Sequence, residues 1–258
     1  MEFFGISEGT LRLGLFLSLL LIFSALEWRY PKLQRPAHRK QRWAQHLGIT
    51  VLNTLLLRIL FPVLALDLAL NPPVSWGLMH LVNWPFWLEA LLAIVFFDAF
   101  IYWQHRVFHR VPWLWRLHRM HHSDLLLDAS SALRFHPIEI AISMALKMGV
   151  VVAIGASPWA VIIFEILLNG TALFNHANWN LKNWDSKLKT IVVTPDMHRV
   201  HHSSVVEETN SNYGFCLSVW DKWFGSFKDR PDPDEIGLKE FRKDREQKFS
   251  ELLIQPLR

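Results

Sequence analysis

One hexapeptide pattern is written twice in this chain: His118-Arg119-Met120-His121-His122-Ser123 and, 80 residues later, His198-Arg199-Val200-His201-His202-Ser203. On an α-helix, positions i, i+3 and i+4 lie on one face. Each copy therefore aims three imidazoles the same way. His105 and His109, four apart, form a third helical cluster just before the first copy. Neutral imidazole is the commonest biological metal ligand, and these eight rings exceed what one tetrahedral ion takes. The fold has to bring three separated segments to one place, and that place suits two metal ions.

The rest of the chain is the wrong composition for an ordinary soluble domain. Half of it is apolar, the mean hydropathy is positive, and it holds 13 Trp against 3 Tyr. Indole rings concentrate at lipid headgroups. A net charge of +4 is too small to point to nucleic acid. The single cysteine, Cys216, rules out an internal disulfide and a Cys/His zinc motif, and reads as a packing residue. The N-terminus has no basic segment ahead of its apolar run, so no cleavable signal is expected.

Apolar runs give the topology. Leu11–Leu26 is close to the length that crosses a bilayer, about 20 residues. A basic loop with Arg29, Lys32, Arg35, Arg39, Lys40 and Arg42 follows, which places it in the cytoplasm. Leu47–Leu70 reads as a second span and Phe86–Trp103 as a third, with the proline- and tryptophan-bearing stretch 71–85 outside. Ile138–Gly155 and Trp159–Phe174 are two short apolar helices forming a hairpin, interrupted by Lys147 and Glu165. The expected fold is an all-α integral membrane protein with four to five membrane helices and a cytosolic helical cap carrying a histidine-rich di-metal site. The expected parts are N-terminal membrane helices (1–85), a histidine-box catalytic domain (86–230) and a polar tail (231–258).

Single histidines are weighed differently. His38, His46 and His80 read as ordinary packed or surface residues. His176, at the exit of the hairpin, is expected as a ninth ligand, whereas His136, before Pro137, suits a ligand role or a helix start equally. Ligating histidines donate their second ring N–H to a carboxylate or carbonyl. Asp98, Asp124, Asp196 and Glu139 are the candidates, with Asp98 two helical turns before His105 and Asp196 placed to cap the helix of the second copy. A basic lipid-binding surface would account for the interleaved arginines, but not for the repeated spacing. A bis-histidine haem protein would need pairs across spanning helices at one depth. Metals beside lipid-sized helices suggest oxidation of a lipid tail, and zinc has no redox chemistry, so iron is favoured.

At this level the chain resembles the fatty acid hydroxylase/sterol desaturase superfamily of membrane di-iron oxygenases. The resemblance lies in His105-x3-His109, His118-x2-His121-His122 and His198-x2-His201-His202, in that order, and runs from Asp98 to Phe227. Arg134-Phe135-His136-Pro137-Ile138-Glu139, Asn175-His176-Ala177-Asn178 and Trp220-Asp221-Lys222-Trp223-Phe224-Gly225 look like the sterol-desaturase branch. The fatty acid 2-hydroxylase branch carries a histidine four residues after His176, where this chain has Asn180. The resemblance implies two irons held by histidines, with zinc able to replace them in purified protein. It implies O₂ as cosubstrate and hydroxylation or desaturation of a sterol-like or fatty-acyl C–H bond. It also implies electrons from a separate ferredoxin, cytochrome b5 or NAD(P)H reductase. Carotenoid hydroxylation and alkylglycerol ether cleavage are the neighbouring activities, and a non-catalytic zinc- or lipid-binding protein is the alternative outside catalysis. The absence of a retrieval signal in the final residues favours a bacterial inner membrane over the endoplasmic reticulum.

Overall fold

The structure is a computed structural model, and it describes residues 2–3, 6–34, 38–61, 63–74, 76–229, 233 and 235–258. Arg35 of the basic loop and the expected boundary at 230–231 fall outside these. A two-residue antiparallel pair, Glu2–Phe3 with Ile6–Ser7, precedes an otherwise helical chain. The helices are α1 (Glu8–Arg29), α2 (Arg39–Leu60), α3 (Ala65–Leu70), α4 (Phe86–Arg110), α5 (Pro112–His122), α6 (Pro137–Ile154) and α7 (Pro158–His176). Shorter helices follow: α8 (Trp184–Leu188), α9 (Pro195–His201), α10 (Val206–Thr209), α11 (Val219–Trp223) and α12 (Phe249–Ile254).

Proline sets where the important helices begin. Pro112, Pro137, Pro158 and Pro195 open α5, α6, α7 and α9. At this position the missing N–H costs nothing and the fixed φ suits a helix. Side chains of His136, Ser157 and Thr194 cap the last three of these helices. The hairpin turn is made by Gly155, whose φ of 65° is left-handed and favours glycine.

Among the described residues, α1, α4, α6 and α7 are long and apolar enough to cross a membrane. Their lipid-facing sides carry exposed apolar residues, Leu21 at 69 % and Trp87 at 67 % among them. The inner faces of α4 and α7 meet at Phe97 and Phe164, whose rings stack with centroids 4.9 Å apart. Lys147 and Glu165, the two interruptions of the hairpin, pair with each other across it, and Glu165 also takes Arg12 of α1. Charges inside a bilayer persist where they are matched in this way.

The expected second span over Leu47–Leu70 is not one helix. Its first half belongs to α2, which starts earlier at Arg39, and its last residues form the separate α3. Phe61 ends α2 with φ −126° and ψ 86°. The next residue, Pro62, disfavours helical backbone at Phe61 and cannot donate back to the preceding turn. The third span is longer than expected and runs unbroken from Phe86 to Arg110, so His105 and His109 ride on its projecting end.

The residues after 235, polar by composition, are packed onto the cap. Leu252 is fully buried with Ile49 and Met120. Gln255 is fully buried and its Oε1 accepts from Ser123 Oγ at 2.9 Å. Arg119 donates to the carbonyls of Gln255 and Arg258.

Candidate metal centre

α4 and α7 finish, and α6 begins, at the same end of the bundle, and α5 and α9 lie across that end. This brings nine histidines into two groups. His105, His109, His118, His122 and His201 form the first, and His121, His176, His198 and His202 the second. In each group one ring nitrogen per residue lies within 4.8 Å of all the others. The repeated motif is divided in a way its spacing alone does not reveal. His118 and His122 enter the first group and His198 and His202 the second, while the middle members cross over: His121 joins the second group and His201 the first. The rings still share a helix face, but that face looks onto both groups.

Hydrogen bonds fix the orientation of four rings. His105 Nδ1 donates to the Tyr213 carbonyl at 2.8 Å, and His201 Nδ1 to that of Ser211 at 2.7 Å. His118 Nδ1 donates to Glu139 Oε1 at 2.6 Å. His176 Nδ1 lies 2.7 Å from the Ala172 carbonyl and 2.9 Å from Asn175 Oδ1. All these partners are acceptors, so the proton sits on Nδ1 and each Nε2 presents a lone pair. Yet His105 Nε2 faces His118 Nε2 at 3.1 Å and His201 Nε2 at 3.0 Å. His176 Nε2 faces those of His121 and His198, both at 3.0 Å. In the first group three lone pairs converge at this range and repel unless a cation lies between them, and in the second the His176 lone pair faces two further buried imidazoles whose Nδ1 atoms have no partner among the described residues. The donor set therefore fits a metal ion in each group.

Electrostatics agree with that fit. Burial holds the imidazoles of His121, His122, His198 and His202 well below their ordinary value, and neighbouring rings add to the effect. Burial pushes His201 down to about 3. These rings stay neutral at physiological pH, the form that binds metals.

The other expected residues are placed differently. Glu139, in the first turn of α6, bonds directly to a ring of the first group. Asp98 shares the α4 face with His105 but holds no ring: its carboxylate accepts from the backbone of Cys216 and Leu217 and from Trp220 Nε1. It anchors the loop that carries Tyr213. Asp124 takes Arg42 through both oxygens at 3.0 and 2.7 Å. Burial opposes its ionisation, but Arg42 and Arg134 outweigh this and hold the carboxyl far below the usual range. Asp196 does not cap α9; Thr194 does, accepting from Met197 N, and Asp196 pairs with Lys32 and Arg199. His136 is in neither group. Its Nδ1 caps α6 at Ile138 N and its Nε2 donates to the Leu253 carbonyl at 3.2 Å. Cys216 is inert, since burial raises its thiol well above the ordinary range.

Of the groups that support the rings, Ser211 and Tyr213 carry no sequence signal because they act through the backbone, whereas Phe135 and Asp221 lie in motifs on which the resemblance rests. Ser211 and Tyr213 contribute carbonyls. Their loop is held by Asp221, which accepts from Tyr213 N and Gly214 N at 2.8 and 2.7 Å. A Cβ on Gly214 would stand 2.7 Å from Asp221 Oδ2, so only glycine admits the carboxylate. Phe135 stacks on His121 with centroids 4.2 Å apart and planes 11° apart.

A cavity of about 320 Å³ adjoins the first group. His105, His118 and Glu139 form one end, and Leu57, Ile101 and Leu168 extend it between the helices. This lies in the size range of small-molecule sites, about 300–1,000 Å³.

The family model described as fatty acid hydroxylase matches residues 90–226, just over half of the chain. The chain belongs to the fatty acid hydroxylase family. All nine grouped histidines lie inside the matched region. An ornithine lipid hydroxylase of Rhizobium tropici is 32 % identical over 158 residues, 60 % of this chain and 47 % of the relative. A human alkylglycerol monooxygenase is 32 % identical over 168 residues, 63 % of this chain and 36 % of the relative. A mouse cholesterol 25-hydroxylase is 23 % identical over 197 residues, 74 % of this chain and 62 % of the relative. The chain thus spans under half the length of the first two relatives. No solved structure matches.

Proposed function

We propose that this protein is a membrane-bound di-iron oxygenase that uses O₂ to hydroxylate or desaturate a C–H bond of a lipid. The observation that carries the proposal is the convergence of nine imidazoles, in two groups of five and four, beside a cavity between membrane helices. His105, His109, His118, His122 and His201 would hold one iron, and His121, His176, His198 and His202 the other. Bound iron supplies the redox chemistry that activates O₂ for attack on an unactivated C–H bond.

The chain's own residues supply orientation and exclusion of water. The Ser211 and Tyr213 carbonyls and Glu139 lock the rings of His201, His105 and His118 with Nε2 inward. Phe135 holds His121 from its ring face. The apolar cavity wall would place one carbon of the lipid against the first group and keep bulk water from it.

In this scheme residues 86–230 carry catalysis, residues 1–85 anchor the protein, and the residues from 235 onward latch the cap. The Lys/Arg distribution supports a cytoplasmic site, where a separate ferredoxin, cytochrome b5 or NAD(P)H reductase would deliver electrons. The Rhizobium relative favours a bacterial inner membrane. Ether cleavage is the second reading, favoured by the alkylglycerol monooxygenases among the relatives.

The test is metal analysis and Mössbauer spectroscopy of the detergent-purified protein, with zinc displacement controlled by iron supplementation. Spin-coupled iron in the unmodified protein, lost from a His121→Ala variant, supports the proposal. No bound metal under either growth condition sinks it. With a reductase supplied, an aldehyde released from an ether lipid would mark ether cleavage, and an added hydroxyl or double bond the main reading.

A further inference from the structure

The cavity beside the first histidine group has a polar side, and among the described residues each side-chain polar atom on it that lacks any partner is an acceptor. Asn53 is buried, and its Nδ2 donates to the Phe135 carbonyl at 3.0 Å. That bond fixes the amide orientation, and Oδ1 is left with no hydrogen-bond partner among the described residues. Gln104 Nε2 donates to Ser143 Oγ at 2.9 Å, and its Oε1 is likewise unpartnered. Glu139 uses Oε1 for His118, and its Oε2 has no partner. The hydroxyls of Thr50 and Thr54 donate to the carbonyls of His46 and Thr50 in their own helix, which leaves only their lone pairs for the cavity. All five residues line the same cavity.

A buried acceptor left without a donor costs about 1–3 kcal/mol, and native proteins rarely leave several around one space. A hydrocarbon chain satisfies none of these oxygens, and neither does an ether or ester oxygen. A hydroxyl or an amide N–H does. We propose that this cavity selects lipids that carry a hydrogen-bond donor, O–H or N–H, within reach of Asn53 Oδ1 and Gln104 Oε1, over chains of equal length that carry only acceptors. This deepens the lipid-oxygenase proposal and rests on its assignment of the cavity to a lipid.

Native mass spectrometry of the metal-loaded, full-length protein in detergent micelles measures the preference directly. Hexadecanol is compared with its methyl ether, and N-hexadecylacetamide with its N-methyl derivative. Hexadecane serves as the chain-only control. The expected result is about ten-fold tighter binding of at least one donor than of its methylated partner, the worth of a well-made hydrogen bond in a dry site. The pair that discriminates identifies the donor as hydroxyl or amide. Asn53→Leu and Gln104→Met each lower the ratio while leaving hexadecane binding unchanged. Asn53→Asp, which as a neutral acid keeps an acceptor oxygen and one proton for Phe135, retains it. Equal binding of both members of both pairs to the unmodified protein overturns the inference while leaving the lipid cavity standing. If no probe binds, hexadecane included, the cavity is not a lipid site and both proposals fall.

Discussion

Replacing Glu139 by leucine should weaken metal binding in one histidine group and spare the other. Glu139 accepts from His118 Nδ1 at 2.6 Å in a buried setting, and His118 belongs to the first group. Removing it frees the imidazole to rotate and to move its proton to the nitrogen that should ligate. A charge-assisted hydrogen bond of this kind contributes about 1.5–3 kcal/mol, which is about 10–150-fold in affinity. Loss of a carboxylate behind a ligating histidine typically costs about 10–100-fold. Glu139→Gln keeps a carbonyl acceptor and loses the charge, so its cost should be smaller, about 3–10-fold. The assay is chelator competition followed by metal analysis, with circular dichroism to check the fold. One weakened and one unchanged binding step is the expected outcome. Unchanged affinity in Glu139→Leu refutes the orienting role, and equal weakening of both steps means that the whole cap has loosened instead.

His121→Ala leaves the second group three donors, whereas His201→Ala leaves the first group four, so metal analysis should find a larger loss in the His121 variant. Glu165→Gln strips Lys147 and Arg12 of their shared carboxylate. It should destabilise the protein by about 3–5 kcal/mol, read as a fall in thermal midpoint, with much of the loss restored by adding Lys147→Met. Burial pushes His46 down from 6.5 to about 4. Its folded value is the lower one, so its neutral ring stabilises fully above 6.5 and that contribution is lost as pH falls toward 4. A His46→Gln variant should therefore lose less stability over this interval than the unmodified protein, by on the order of 3 kcal/mol at its lower end, measured by denaturant unfolding.

The convergence of the histidines was legible in the chain because helical spacing aims each cluster one way, and the apolar runs mark four of the long helices. The crossing of His121 and His201 was not legible, because spacing defines a face but not what lies in front of it. The break after Leu60 had a visible cause in Pro62, but the apolar run on either side masked it. Glu139 and Asp98 looked alike in sequence, as acidic residues within helical reach of histidines. Only packing separates the one that touches a ring from the one that anchors a loop. Ser211 and Tyr213 act through carbonyls, which every residue has, so no side-chain pattern could single them out. The polar residues near the end of the chain hid buried anchors at Leu252 and Gln255, since composition averages over the few positions that pack.

The exchange of middle histidines between the two groups has a consequence for the life of the protein in a cell. In the proposed di-iron state each ion would fasten α5 to α9, segments that the chain itself joins through the hairpin and a long run of short turns. Binding energy at such a site is also folding energy. Without metal, the rings that now converge would push apart and the cap would open to proteases. The steady-state amount of this protein should then follow iron supply, with scarcity read out as degradation of the chain before any change in its transcription.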